Sequence, residues 1–281
     1  MESNKIQFGE GIRRHRSQTC ASEGVNMNDY GIDKKTNELK DDINFHLSKM
    51  TKTPDYANSS LFWIMNANSR LAWFSFIQGN LIQMKQCFSN VGFIDIYAVE
   101  KYNDKFLDFD ISRCLLPILS DNEEMIQHYS KLRYKAYGKR LDMDKYILKG
   151  DGAIFCNTIQ FFMENNIEGV ERNLNIFELN PNKTFKKSKT LEYDYEFYRA
   201  LNANDKYKIE EVLEKIINPK FHKIRNDIPI ISQYVSMPAL GYAKLAWRKG
   251  IEVDVQNPLI PKELLPIQPN ESYDIPYDFL K

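Results

Sequence analysis

The chain has 281 residues and a mass of 33.1 kDa, enough for one large domain or two small ones around a proper core. Hydrophobic residues make up 43% and charged residues 27%, which excludes wholesale disorder. The 38 Lys and Arg cancel the 38 Asp and Glu, which argues against a protein built mainly for electrostatic capture of DNA, RNA or an anionic membrane.

With only 12 Gly and 11 Pro, the chain lacks the tight reversals that a sandwich or barrel needs, and long helices fit better. The 17 Phe, 16 Tyr and 3 Trp suit thick helix packing or amphipathic contact surfaces. Four dispersed cysteines (Cys20, Cys87, Cys114, Cys156) form no C-x-x-C and read as small core hydrophobes. No apolar core of about 7–15 residues follows Arg13, Arg14 and Arg16, so no signal peptide is expected there. No apolar run approaches the roughly 18–20 residues of a membrane span. A soluble, cytoplasmic protein is the expectation, and the sequons at Asn58, Asn182 and Asn270 then carry little meaning.

Residues 1–35 are polar, hold four glycines (Gly9, Gly11, Gly24, Gly31) and lack apolar periodicity, which predicts a flexible N-terminal arm. Residues 36–281 are expected to form a single all-helical domain. Leu39, Ile43, His46 or Leu47, and Met50 make the stripe of a first amphipathic helix, ended by Pro54.

A recurrent unit follows. The segments Trp73–Phe88, Asn157–Leu174 and Tyr195–Leu213 align on the pivots Asn80, Asn166 and Asp205. Seven and four residues before each pivot stand Trp73 and Phe76, Ile159 and Phe162, Tyr198 and Leu201. Four and eight residues after it stand Met84 and Phe88, Val170 and Leu174, Ile209 and Leu213. This pattern predicts an apolar helix, a Gly/Asn/Asp break and a second helix capped by the pivot, folded back as an antiparallel hairpin. A weaker copy pivots on Asn122, with Leu115, Ile118 and Ile126 in place and Ser130 out of pattern. The pivots 80, 122, 166 and 205 lie 42, 44 and 39 residues apart, a spacing shared by short solenoids and by a plain helical bundle.

Near the C-terminus Ile230 to Trp247 predicts an apolar helix kinked or restarted at Pro238, with Gly250 as its C-cap. The alternation Ile251, Val253, Val255 allows a short extended segment. The Pro-rich remainder reads as a strap across the helices. The fold class expected is therefore all-α: antiparallel helical hairpins packed as a bundle or short solenoid, with a Pro-rich C-terminal strap.

The sequence offers no strong catalytic motif. His128 follows Glu124 by one turn, half of a carboxylate-bridged metal site, but no second E-x-x-H exists and an ordinary hydrogen-bonded histidine is favoured. Cys156 sits on an apolar helix and is favoured as core. Gly150-Asp151-Gly152 reads as a helix start capped by Asp151 rather than a phosphate site. The run Lys131, Arg133, Lys135, Lys139 and Arg140, interleaved with Tyr134 and Tyr137, suits either nucleic-acid contact or a solvated helix face, and the second is favoured. No cofactor or metal is called for.

Acids concentrate in two stretches, eight against three bases over 95–124 and seven against three over 192–214. These would offer an acidic, aromatic-rich surface to a basic partner, or simply a solvated exterior.

Three stretches resemble a known family: AWFSFIQGNLIQMKQCF (72–88), YRALNANDKYKIEEVLEKI (198–216) and ISQYVSMPALGYAKLAWRKGIEVDVQNPLIPKELL (231–265). In content and order they are similar to the bacterial immunity protein 49 family, over about residues 40–265. The resemblance implies a cytoplasmic, mostly helical protein, encoded beside a secreted antibacterial toxin, that binds the cognate toxin effector domain and blocks its active site. It implies no catalytic residues. Against a toxin with a basic cleft, the residues expected to steer and bind are Asp104, Asp108, Asp110, Glu123 and Glu124. No nucleic-acid or membrane partner is expected, and self-association as a homodimer is left open. Two other classes compete: a small-molecule enzyme with a pocket at the bundle centre, near His128 and Glu124, and a helical-repeat regulator that binds peptides.

Overall fold

The computed structural model describes residues 31–180, 190–226 and 228–281. The stripe from Leu39 to Met50 lies on α1 (Ile32–Lys52), with Leu39 and Ile43 buried and Leu47 and Met50 packed at the core edge. Pro54 opens a short 3-10 turn, so α1 ends just before a residue that cannot donate a backbone hydrogen bond. The arm expected over 1–35 lies, up to residue 30, outside the described residues.

The three strong pivots are helix N-caps. Asn80 separates α2 (Ala57–Ile77) from α3 (Leu81–Tyr102), and its side chain accepts the Gln83 N–H at 3.0 Å. After the short helices α4 (Ile111–Leu115), α5 (Glu123–Ser130) and α6 (Met143–Leu148), Asn166 stands between α7 (Ala153–Glu164) and α8 (Ile167–Leu179). Asp205 stands between α9 (Leu191–Asn202) and α10 (Lys206–Ile217). Asn166 accepts the Gly169 N–H at 2.9 Å and Asp205 the Lys208 N–H at 3.0 Å.

The residue before each pivot (Gly79, Asn165, Asn204) has positive φ, and each pivot N–H reaches back five residues, to Ser75, Phe161 and Ala200. Such a left-handed residue closes the first helix and lets the cap start the second. The weaker copy shares the device in part. Asp121 is left-handed and Asn122 caps α5 through the Met125 N–H, but a 3-10 turn (Pro117–Ser120) precedes it instead of a long helix.

The aligned apolar positions are buried in all three units except Leu174, which is half-buried while Asn173 beside it is sealed. Rings join the units: Trp73 meets Phe88 at 4.9 Å across the first hairpin, and Phe155 meets Phe177 at 4.9 Å across the second. Tyr198 of the third hairpin touches Phe155, Phe162 and Phe177, and also Tyr242 of α12 (Met237–Arg248).

Pro238 sits in the first turn of α12, so the apolar stretch restarts there, and Gly250 closes the helix with φ +80°. Gly241 lets α12 approach α4, since a Cβ there would lie 2.7 Å from Leu115 Cβ. Residues 251–255 form no strand. Val253 and Val255 are buried and Glu252 and Asp254 exposed, so the alternation seals helix faces without a ladder.

The Pro-rich end is a strap across the helices. Lys244 donates to the Pro266 carbonyl at 2.8 Å, Asp121 accepts the Gln268 N–H at 3.1 Å, and Asp274 and Gln86 of α3 exchange two hydrogen bonds. At its far end the Tyr277 hydroxyl is sealed against Asn68 of α2.

Candidate functional site

Two sequence expectations are corrected. The basic run 131–140 is not a helix face. α5 ends at Ser130 and the run leaves as an irregular loop, turned tightly at Tyr137–Arg140 where Gly138 takes φ +57°. Arg133 turns inward to Gln160 and over the Phe161 ring, Arg140 pairs with Asp108, and Tyr137 is left 77% exposed at the tip. Asp151 does not cap α7 either. The cap residue is Gly152, where a Cβ would lie 2.2 Å from the Asp108 carbonyl oxygen, so the glycine is fixed by close backbone approach.

The five expected acids fall into two groups. Asp104 accepts the Phe106 N–H at 2.9 Å and shapes the loop after α3. Asp108 is committed to the Tyr134 hydroxyl and the Arg140 guanidinium. Asp110 caps α4 through the Arg113 N–H at 2.9 Å. Glu123 opens α5 and pairs with Arg248, and Glu124 is exposed beside it.

His128 pairs with Glu100 of α3 at 2.7 Å rather than with Glu124; both His128 and Glu124 are exposed. Cys156 is fully buried, and a hydrogen bond with Cys114 together with burial pushes its thiol well above the usual range, the environment of an inert core thiol.

Three buried ionic clusters hold the helices. Arg113 donates to Asp95, whose carboxyl is pushed up to about 6 by burial. Asp194 of α9 receives a two-pronged guanidinium from Arg225 of α11 (Pro219–Arg225) at 2.9 and 3.0 Å, and the Tyr242 hydroxyl as well. Asp121, with no exposed side-chain surface, is shared by Lys244 at 2.7 Å and Lys85 at 3.1 Å. Burial pushes Lys244 down to about 8.

Of two cavities in the described fold, the second borders the Arg113 and Arg225 clusters. One, of about 370 Å³, lies between α1, the end of α3 and the strap, walled by Leu47, Tyr97, Tyr102, Tyr277 and Phe279. The other, of about 360 Å³, is a cleft where α2, α4 and α11 meet; Arg113 and Arg225 line it with Arg70, Asp110 and Ile224. Asp110 is the one expected acid that reaches it, and His128 and Glu124 line neither cavity.

From this cleft an exposed face runs along α2. Phe62, Trp63, Asn66 and Arg70 share one side at helical spacing, with Phe62 46% and Trp63 52% exposed. Trp63 stacks on His46 of α1 at 5.9 Å, and Phe45, 62% exposed, abuts the same histidine. Sequence reasoning missed this face, because it took α1 for its buried stripe and entered the repeat only at Trp73. The signal was present in Phe62-Trp63, two large rings at positions flanking the buried Leu61, Ile64 and Met65.

Residues 157–264 match the family model of immunity protein 49. The immunity protein 49 match begins within α7 and takes in the second and third hairpins, the Asp194 cluster, α12 and the first part of the strap. It bears out the resemblance there, while the 72–88 run and the α1–α2 face lie outside the matched residues. Arg225, Ile228 and Met237 place one wall of the cleft inside the match, and Arg70, Asp110 and Arg113 place the other outside it. No curated protein and no solved structure matches the chain.

Proposed function

We propose that this chain is an immunity protein that binds a cognate secreted antibacterial toxin, occludes its active site and protects the producing cell and its kin. The match to immunity protein 49 over residues 157–264 carries the reading. Asp95, Asp121 and Asp194 are each closed on a cation of the fold, so these buried carboxylates serve to hold the helices together.

Occlusion calls for an interface on the order of 1,600 Å² with a few buried anchors. The encounter takes place in the cytoplasm, where the toxin reaches a sister cell. Among the expected acids, Glu124 offers a free carboxylate, whereas reversing Asp108 or Glu123 would also break a pair inside the protein.

The test is co-expression with the toxin encoded beside this chain. The toxin alone should arrest growth, the pair should grow, and the purified proteins should form a one-to-one complex. Growth arrest despite abundant folded protein would refute the reading. Charge reversal at Glu124 should then slow association and flatten its salt dependence if the acidic set steers the toxin.

A further inference from the structure

We infer that the face formed by Phe45, Phe62, Trp63 and Arg70, with the cleft beneath it, is the anchor site for the partner protein. It takes a segment that presents a carboxylate beside apolar side chains. The inference rests on the immunity reading for the identity of that partner, and goes beyond it by placing the contact and stating its chemistry.

The face has the residue types that dominate tight interfaces. Trp, Phe and Arg supply most of the binding energy where they can be desolvated on contact. Here Trp63 and Phe62 stand about half exposed on α2, supported from below by Leu61 and Ile64, which are sealed in the core. Their positions are therefore set by a rigid helix, and little ordering remains to be done on binding. Nothing in the described fold covers them. Burial and the neighbouring Lys49 hold the His46 imidazole, on which Trp63 stacks, below its usual range.

Charge selects the occupant. Arg70 lies seven residues beyond Trp63, about 10 Å along the same side of α2, at the mouth of the cleft. It has no ion-pair or hydrogen-bond partner among the described residues. Deeper in, Arg113 spends Nε and Nη2 on Asp95, and Arg225 spends both terminal nitrogens on Asp194. Those cations are already balanced. The one carboxylate in the lining, Asp110, is engaged as the cap of α4.

Arg70 is thus the one cation of the lining with no partner among the described residues; the cleft below it mixes Met65, Leu116 and Ile224 with Asn66, Ser69 and Ser112, and the apolar ground is the Phe62–Trp63 face. A guanidinium beside an exposed aromatic face fits an Asp, Glu or terminal carboxylate carried on a segment with apolar side chains. A lysine or arginine of the partner would meet Arg70 as a like charge.

The experiment uses the full chain and the purified toxin encoded beside it. Trp63→Ala and Arg70→Glu should each weaken the complex on the order of 30-fold or more, with melting temperatures close to wild type. A photo-crosslinking residue in place of Phe62 should capture a toxin segment that contains Asp, Glu or the C-terminus.

Wild-type affinity in both variants would overturn the inference and leave the immunity reading intact. Failure of the wild-type chain to bind would overturn both. A crosslinked segment without a carboxylate would overturn the assigned chemistry. A dimer of the free chain that Trp63→Ala dissociates would give the face to a second copy and overturn the assignment to the toxin.

Discussion

The strap side of the molecule and the α1–α2 face are built from the same kinds of residue in opposite states. Under the strap, Asp121, Lys85, Lys244 and Tyr277 turn their polar atoms inward and find partners there. On the α1–α2 face, Phe45, Phe62 and Trp63 stay in solvent and Arg70 stands without a partner among the described residues. Closing a polar group inside the fold is worth while only if every partner is present, so the strap side is structural. An exposed aromatic patch with an unspent cation gains free energy only when something covers it, so the open face is where interaction is available.

The sharpest way to break the comparison is Asp121→Asn. Asparagine tolerates the left-handed backbone at φ +58°, so the change isolates the charge. It leaves Lys85 and Lys244 buried with no counter-charge, and a loss of about 3–5 kcal/mol in denaturant unfolding is expected. A loss under about 1 kcal/mol would mean that the cluster is not what fastens the strap.

A second way uses pH. Two cations share one carboxylate, and Lys244 titrates at about 8 in the folded protein against about 10.4 in the unfolded chain. Between those values the unfolded chain holds more protons on this group, so its contribution to stability rises with pH. The buried thiols of Cys87 and Cys156 and the phenols of Tyr198 and Tyr242 are raised in the fold and pull the other way. The quantity to follow is therefore the stability of wild type minus that of Lys244→Met. From pH 7.5 to 10 it should move in favour of wild type by roughly 2 kcal/mol. A gap independent of pH would place the lysine in a well-solvated site.

These contrasts also separate what the sequence could and could not tell. The pivots Asn80, Asn166 and Asp205 were legible because hairpin chemistry is local: an amide or carboxylate cap, a left-handed residue and apolar positions one turn away fall within about ten residues. The strap was legible from its prolines.

Non-local charge was not. That Asp121 would meet Lys244, that Asp194 would meet Arg225, or that Arg140 would neutralise Asp108 depends on chain segments that only the fold brings together. For the same reason an acid-rich stretch looked like a surface while several of its carboxylates serve as caps and internal pairs. The basic run was misread as a helix face because charge alternation says nothing about where α5 stops. The open face was readable in principle, since Phe62-Trp63 and Arg70 lie on one side of α2, but only after α2 itself had been delimited.

The smallest expected effect sharpens the comparison most directly. Trp63→Ala should lower folding stability by about 1 kcal/mol or less, in the same unfolding assay that registers Asp121→Asn strongly. The ring is half in solvent, its aromatic contacts are His46 and Phe62 at the surface, and its removal opens no cavity in the core. Burial of Leu61, Ile64 and Met65 on the opposite side of α2 is untouched. If the loss instead approached the roughly 3–5 kcal/mol of a core tryptophan truncation, Trp63 would be holding α1 onto α2, and the exposed aromatics would belong to the scaffold as the strap does. A small loss leaves two large rings on a rigid helix that the fold does not need, set beside a cation that it does not use.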